Sequence, residues 1–337
     1  MKILFTEVTE EWQKDWLMSH LTGHEVRFTE DGSDAAIVEA GSEVEILSVF
    51  IGSKIDASIL DRLPQLKFLT TRSTGFDHID LEAARSRSVQ VSNVPFYGEN
   101  TVAEHTLALL LALARNLRPS FEKIEKCDFT SEGLRGWDLK GKRLGIIGGG
   151  HIGLHVARMA KGFEMQVVVY DLHPRPDQAA TIGFEYRDLP GILKIADVIS
   201  LHLPLNEHTR HILDKDEFNA MKDGVYILNT ARGELINTDA LIEALKSGKV
   251  AGAGLDVLEE EGAIGEEVEL LLGHKKAKEL CVILENHVLM KMDNVIITPH
   301  NAFNSQEAIE RILQTSVENI RGFVDGKPVN VVSNYKV

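Results

Sequence analysis

The stretch that decides the fold runs from Arg143 to Asp171, RLGIIGGGHIGLHVARMAKGFEMQVVVYD. Leu144 to Ile147 is an apolar run too short for a helix, which reads as a buried parallel strand. Gly148, Gly149 and Gly150 follow, then His151, Ile152 and Gly153. Gly148, Gly150 and Gly153 meet the spacing G-x-G-x-x-G. Beyond them Ile152, Val156, Met159 and Ala160 recur on one helical face. A second apolar run, Met165 to Tyr170, closes on Asp171.

That order has a physical purpose. A helix N-terminus presents unpaired N–H groups and positive potential to a pyrophosphate. The first glycine makes the turn, the second lets the phosphate approach the backbone, and the third lets helix and strand pack closely. An acid at the end of the second strand accepts hydrogen bonds from a ribose diol and repels a 2′-phosphate. Asp171 therefore favours NAD over NADP, with Arg175 leaving NADP open. A lone glycine triplet says little, because loops collect glycine; strand, triplet, helix, strand and terminal acid together mark a dinucleotide site.

Working outward, 337 residues suggest two domains, enough to bury roughly three quarters of the unfolded surface without staples. The formal net charge of −15 gives no basic footprint for nucleic acid and reads first as a solvated acidic surface. Cys127 and Cys281 are far apart and read as reduced thiols, not a disulfide framework. MKILFTEV enters a strand pattern at once, without the features of a signal peptide, and no run is long enough to span a bilayer. Cytoplasmic residence is the expectation.

Before the glycine motif, Lys2 to Val8, Val44 to Phe50 and Lys67 to Thr71 read as strands, and Glu11 to Leu21 and Leu81 to Ser86 as helices. This is an α/β unit without a glycine fingerprint. Its loop Arg72-Ser73-Thr74-Gly75-Phe76-Asp77 either binds an anion through backbone N–H groups or is an ordinary turn. Glu99 to Leu117 is a long helix, apolar on most faces, that would bridge into the nucleotide unit. Arg118 to Asp128 is a second helix, with Pro119 in its first turn. After Asp171 strands are expected at Asp197 to Leu203, Gly224 to Thr230, Val250 to Val257 and Val295 to Thr298. Helices are expected at Thr238 to Ser247, around Leu270 to Leu284 and at Gln306 to Val324. The charged stretch Gly262 to Asn294 is otherwise irregular. At least six strands make a doubly wound sheet, and the last helix is expected to return to the first unit. A hinge between two units implies a cleft for a small ligand.

Polar residues after strand ends supply the chemistry. Arg232, Glu261 and His300 each follow one strand of the second unit, and carboxyl ends of strands face the ligand crevice in such sheets. Arg offers a planar fork to a carboxylate. His carries a proton near neutrality. A Glu bonded to that His fixes its tautomer and gives the imidazolium a counter-charge. Each alone has a structural reading, and Glu261 belongs to the acidic run Glu259-Glu260-Glu261, which could be a solvated face. Behind a dinucleotide motif the set implies hydride transfer to a 2-keto acid, with Arg232 on the carboxylate and His300 protonating the carbonyl oxygen. His78, His105, His208 and His211 read as structural. No metal-ligand spacing is present.

These segments resemble the D-isomer-specific 2-hydroxyacid dehydrogenases over nearly the whole chain. GGGHIG with Asp171 is similar to the family's dinucleotide motif. LNTARGELINTDALIEALKSGKVAGAGLDVLEEE (Leu228 to Glu261) is similar to its signature around the catalytic Arg and Glu. ITPHNAF (Ile297 to Phe303) is similar to the segment with its catalytic His, and RSTGFDHIDL (Arg72 to Leu81) to its substrate-carboxylate loop. The resemblance implies two Rossmann-like, doubly wound α/β domains with an inter-domain cleft. Residues 1–98 plus 301–337 would form the substrate domain and residues 99–300 the NAD-binding domain. It implies Arg232, Glu261 and His300 as the catalytic trio, and Thr74, Gly75, Tyr97 and Arg232 on the substrate. Cofactor contacts would come from Gly148, Gly150, His151, Ile152, Gly153, Asp171, Leu203, Pro204, Thr209, Thr230, Ala231 and Asp256. A homodimer through the nucleotide domain, using helices like Glu99 to Leu117, is implied too.

Within the family, VPFYGEN (Val94 to Asn100) and the long charged stretch before His300 resemble the D-lactate dehydrogenase branch, with pyruvate or a slightly larger 2-keto acid as substrate. Asn304 departs from that branch, which more often carries an aromatic after Phe303. Glyoxylate or hydroxypyruvate reduction is the enzyme alternative, and an NAD-sensing corepressor the non-enzymatic one.

Overall fold

The computed structural model describes residues 1–41, 43–261 and 277–332. They fall into two compact units, Met1–Tyr97 with Ser305 onward, and Gly98–Asn304. Gly98 and residues 301–304, set in the first domain by sequence, belong by their contacts to the second unit.

The first unit runs β1 (Lys2–Phe5), α1 (Glu11–His20), β2 (Glu25–Phe28), α2 (Asp34–Gly41), β3 (Ile46–Val49), α3 (Ala57–Asp61), β4 (Phe68–Thr71), α4 (Leu81–Ser86) and β5 (Gln90–Ser92). The strands are parallel in the order β2-β1-β3-β4-β5. Every residue of β3 and β4 is buried, as a sheet covered on both faces requires. Short helices start where Asp56 and Asp80 cap free N–H groups. The C-terminal helix, Gln306–Val324, returns to this sheet as expected. Phe323 stacks on Phe68 at 4.6 Å, and buried Asn319 donates to the Asn93 carbonyl at 2.8 Å.

The second unit runs α5 (Glu99–Ala114), α6 (Leu117–Glu125), β6 (Arg143–Ile147), α7 (His151–Gly162), β7 (Gln166–Tyr170), α8 (Pro176–Ile182), β8 (Glu185–Tyr186), α9 (Leu189–Ile195), β9 (Val198–Leu201), α10 (Lys215–Ala220) and β10 (Val225–Asn229). A 3-10 turn (Gly233–Leu235) leads to α11 (Thr238–Ser247), β11 (Val250–Leu255), α12 (Ala277–Met290) and β12 (Val295–Ile297). The sheet is parallel, ordered β12-β11-β10-β9-β6-β7-β8. The order reverses between β6 and β9, the switch point at which such sheets bind ligands. One face packs Ile147, Ile199, Leu201 and Ile227 against α9, α10 and α11. The other packs Ile146 and Val169 against Leu110 and Ala114 of α5 and Val156 and Ala157 of α7. Each Val, Leu or Ile among them contributes about 1.5–3 kcal/mol on full burial.

The structure differs from the sequence expectation in definite places. α5 is not a bridge; it lies wholly in the second unit, packed on α7. It stops at Ala114, and Asn116 (φ +49) turns the chain into α6. β2, β5, β8 and α2, α3, α8, α9, α10 were not expected. β2 is half-exposed and β8 has two residues, so neither carries a clear apolar period. The helix expected around Leu270 to Leu284 is α12, starting at Ala277 and running to Met290; residues 270–276 of that expectation lie outside the described residues.

Candidate active site

The glycine turn leaves the carboxyl end of β6. Gly148 has φ +107, and a Cβ there would sit 2.3 Å from the His202 carbonyl oxygen, so only glycine fits. At Gly153 a Cβ would sit 2.0 Å from the Gly148 carbonyl oxygen, the mark of a helix pressed against its strand. At Gly150 a Cβ would meet nothing within 4 Å. The middle glycine thus faces open space at the start of α7, where a phosphate needs to approach. Asp171 ends β7 beside the turn, accepting from Gly149 N and His173 N, each at 2.7 Å. The chemistry of this cradle fits a dinucleotide with a free ribose diol.

The other expected cofactor residues lie on the same unit. His151 opens α7, exposed, with Nδ1 3.1 Å from Glu99, and Ile152 packs on the core beneath. Leu203 and Pro204 follow β9. Thr209 donates to the Pro204 carbonyl at 2.7 Å and accepts from Asn206 N, so its hydroxyl already braces that loop. Thr230 is buried after β10, sharing a 2.8 Å hydrogen bond with the Thr106 hydroxyl of α5. Ala231 N donates to Asn229 Oδ1 at 3.0 Å.

Three adjacent strands, β10, β11 and β12, carry the expected trio beyond their carboxyl ends. Arg232 is half-buried and extended; its Nη1 donates to the Ala231 carbonyl at 2.7 Å, and Asn229 Nδ2 holds its own carbonyl at 2.8 Å. Gly233 lies flush on the Leu258 backbone, where a Cβ would approach within 2.0 Å. His300 Nδ1 lies 2.6 Å from Glu261 Oε1. The second oxygen of Glu261 accepts from Leu258 N at 3.0 Å, so both carboxylate oxygens have a partner. The run Glu259-Glu260-Glu261 is not one solvated face. Glu259 is buried, accepting from Thr238 at 2.9 Å with His211 Nε2 at 2.8 Å. Glu260 has φ +55, which turns the chain so that Glu261 reaches His300.

Asp256 ends β11 and is 1% exposed. It accepts from Asn301 N and Ala302 N, each at 2.8 Å, and from the Thr298 hydroxyl. Its backbone carbonyl takes His300 N at 2.8 Å. Burial works to raise its pKa, but the hydrogen bonds from His105, Thr298, Asn301 and Ala302 outweigh it and hold the group below the usual carboxylate range. His300 itself has φ +48, a conformation that costs a non-glycine residue about 1 kcal/mol or more. Asp256 holds the backbone of that turn.

On the first unit the loop after β4 is tightly built. Arg72 is buried, donating to the Ser48 carbonyl at 2.9 Å and lying 5.6 Å from the Phe50 ring centre. Burial lowers its pKa to about 10, against the pull of Glu7. Thr74 donates to the Val94 carbonyl at 3.0 Å, Asn93 Nδ2 holds the Thr74 carbonyl, and the Gly75 carbonyl accepts from Ser73 at 2.6 Å. Tyr97 is half-buried, and its carbonyl accepts from Arg311 Nε at 2.6 Å. Sequence reasoning missed Thr106, Thr298 and Arg311 and set His105 aside; no local pattern marks them, because their partners are distant in the chain.

A doubly wound parallel sheet with a glycine turn at its switch point, and a His–Glu pair beyond neighbouring strand ends, define a dinucleotide-dependent dehydrogenase. The family model "D-isomer specific 2-hydroxyacid dehydrogenase, NAD binding domain" matches residues 107–302. A D-lactate dehydrogenase of Escherichia coli is 33% identical over 327 residues, covering 95% of this chain and 96% of that one. A glyoxylate reductase of Thermococcus litoralis is 35% identical over 305 residues, covering 88% and 86%. The crystal structure of D-lactate dehydrogenase from Aquifex aeolicus, complexed with NAD and lactic acid, superposes with a TM-score of 0.87 at 34% identity, covering 99% of this chain and 100% of that one. The chain belongs to the D-isomer-specific 2-hydroxyacid dehydrogenases. It is an NAD-dependent oxidoreductase acting on the CH–OH group of D-2-hydroxy acids.

Proposed function

We propose that this enzyme interconverts pyruvate and D-lactate, with Arg232, Glu261 and His300 as its catalytic residues. The observation that carries the chemistry is the 2.6 Å contact between His300 Nδ1 and Glu261. An ionised carboxylate only accepts, so the Nδ1 proton is committed to it and Nε2 is the atom left to handle substrate. When bound, NADH supplies the hydride that C2 of the keto acid receives. His300, as imidazolium, gives its Nε2 proton to the carbonyl oxygen, and Glu261 balances the charge that His300 carries before the transfer. Arg232 binds the substrate carboxylate through its planar fork. Gly148, Gly150, Gly153 and Asp171, with His151, Ile152, Leu203, Pro204, Thr209, Thr230, Ala231 and Asp256, are the cofactor residues of this reading. Thr74, Gly75 and Tyr97 are its substrate-side residues on the first unit.

The match to the D-lactate enzyme extends over nearly all of both chains, which supports pyruvate. The glyoxylate reductase is as similar, and Asn304 stands where an aromatic is more usual, so glyoxylate or hydroxypyruvate reduction is the second reading. NADH oxidation against pyruvate, phenylpyruvate, 2-ketoisocaproate, glyoxylate and hydroxypyruvate, with the chirality of the product determined, decides between them. Pyruvate preference with D product is the expected result; a glyoxylate or hydroxypyruvate preference would overturn the substrate and keep the trio.

A homodimer is part of the proposal. α6 has no buried residue, and Leu117, Phe121 and Ile124 are exposed on it at helical spacing, with Phe129 85% exposed just beyond. Such a stripe is costly in water and suits a second copy. Phe121→Asp should turn a dimer into a monomer in sedimentation; a monomeric wild type would end this part. Cytoplasmic residence is proposed too, in keeping with two exposed free cysteines.

A further inference from the structure

His105 takes no part in the chemistry above, yet it is joined to it. It sits on α5, and its Nε2 lies 2.9 Å from Thr298 Oγ1 and 3.4 Å from Asp256 Oδ1. The Thr298 hydroxyl has one proton and gives it to Asp256. Its oxygen is then an acceptor for His105, which places the His105 proton on Nε2. Asp256 in turn holds Asn301 N and Ala302 N, and its carbonyl holds His300 N. The next residue of α5, Thr106, is fully buried against Thr230, two positions before Arg232. α5 otherwise faces the sheet with Ala103, Leu107, Leu110 and Leu113. A polar group on such a face is costly unless it is hydrogen-bonded, and both of these are bonded to the segments that carry the trio.

We propose that His105 is a positioning residue for His300, acting through Thr298 and Asp256 on the turn that holds the His300 backbone in its left-handed conformation. The proposal rests on the reading of His300 as the proton carrier. Without the His105 N–H the Thr298 hydroxyl is free to rotate, Asp256 loses a fixed donor, and the turn loses its register.

The test compares His105→Ala, His105→Gln, Thr298→Val, the double variant His105→Ala/Thr298→Val, and His300→Asn, all in the full chain. kcat and KM are measured with NADH and the best keto acid, NADH binding by fluorescence titration, and folding by circular dichroism and Tm. His105→Ala should lower kcat about tenfold, as loss of one fixed hydrogen bond allows, with KM and the NADH Kd changing less. His105→Gln, which keeps an N–H donor, should restore most of the loss. The double variant should lose no more than Thr298→Val alone, because the chain acts as one unit. A folded His105→Ala with unchanged kcat, or losses that multiply in the double variant, would overturn the proposal. If His105→Ala does not fold, Thr298→Ser against Thr298→Val asks the same question: equal kcat in the two overturns it. Turnover by His300→Asn would remove the underlying reading and the proposal together, an outcome separate from a dead His300→Asn with an unaffected His105→Ala.

Discussion

Glu261→Gln exchanges one carboxylate oxygen for an amide nitrogen at a side chain that serves two donors at once. Those donors are His300 Nδ1 at 2.6 Å and Leu258 N at 3.0 Å. A carboxylate accepts from both; an amide has one oxygen and must set its NH2 against the other donor. If the oxygen stays on His300, the amide clashes with Leu258 N. If it turns, His300 is forced to carry its proton on Nε2 and to accept at Nδ1. Either way a charge-assisted bond is lost, worth about 1.5–3 kcal/mol. That corresponds to a fall in kcat/KM of about 10- to 150-fold, seen chiefly in kcat when NADH oxidation is followed at saturating cofactor. Glu259→Gln is the control, the same chemical change two residues earlier. Its carboxylate is buried against His211 and Thr238, so that variant should lose about 1–3 kcal/mol of stability while its folded fraction keeps near-normal kcat. Glu261→Gln within twofold of wild type, or a folded Glu259→Gln equally inactive, would refute the assignment of roles within the acidic run.

The glycines separate binding from folding. Gly150→Ala meets nothing within 4 Å, so Tm without cofactor should hold while NADH affinity drops in a fluorescence titration. Gly153→Ala drives a Cβ to 2.0 Å from backbone and should lower both, with a stability loss of about 1–3 kcal/mol. Asp171→Ala should narrow the preference for NADH over NADPH at least about tenfold, one ribose hydrogen bond to a charged group being worth that much; an unchanged ratio of kcat/KM values would remove Asp171 from the ribose. It should also weaken both cofactors, because Asp171 holds Gly149 N. His202 is held neutral by burial down to about 3, against an ordinary 6.5. Between those values the unfolded chain binds a proton the folded chain does not, so stability is intact above 6.5 and falls as the pH drops. The loss at pH 5 is about 2 kcal/mol, read from urea unfolding at neutral and acid pH and absent in His202→Asn.

The nucleotide cradle was legible because its physics is local. Turn, phosphate approach and helix packing fall on three glycines within six residues. Gly148 and Gly153 show their constraints in the backbone, a positive φ at the turn and a close approach of helix to strand, while Gly150 faces open space. The succession of strands after it was readable from alternation, but their order in the sheet came only from the structure. β2 and β8 were not legible, being short and half-exposed. The choice of Glu261 from three adjacent glutamates agrees with the contact to His300, but only the left-handed turn at Glu260 shows how neighbours in sequence diverge, Glu259 to Thr238 and His211 and Glu261 to His300. His105 was illegible for the opposite reason: its partner Thr298 lies 193 positions away, and a histidine on an apolar helix announces nothing by itself.

Two carboxylates reach the His300 segment, and their environments divide the labour. Glu261 is partly open to solvent and meets the ring. In the proposed reaction it is the counter-charge to the imidazolium, and it stays in contact with water. Asp256 is almost wholly enclosed and meets only N–H and hydroxyl donors. Those donors keep it ionised at one fixed geometry, which is what holding a left-handed non-glycine residue requires. Glycine at position 300 would relieve the backbone and abolish the imidazole. The site keeps the histidine and accepts the strain, with a buried carboxylate on the backbone and a half-exposed one on the ring. A positioning system of this kind needs its own fixed donors, and for Asp256 one set comes from the turn itself and the other from α5.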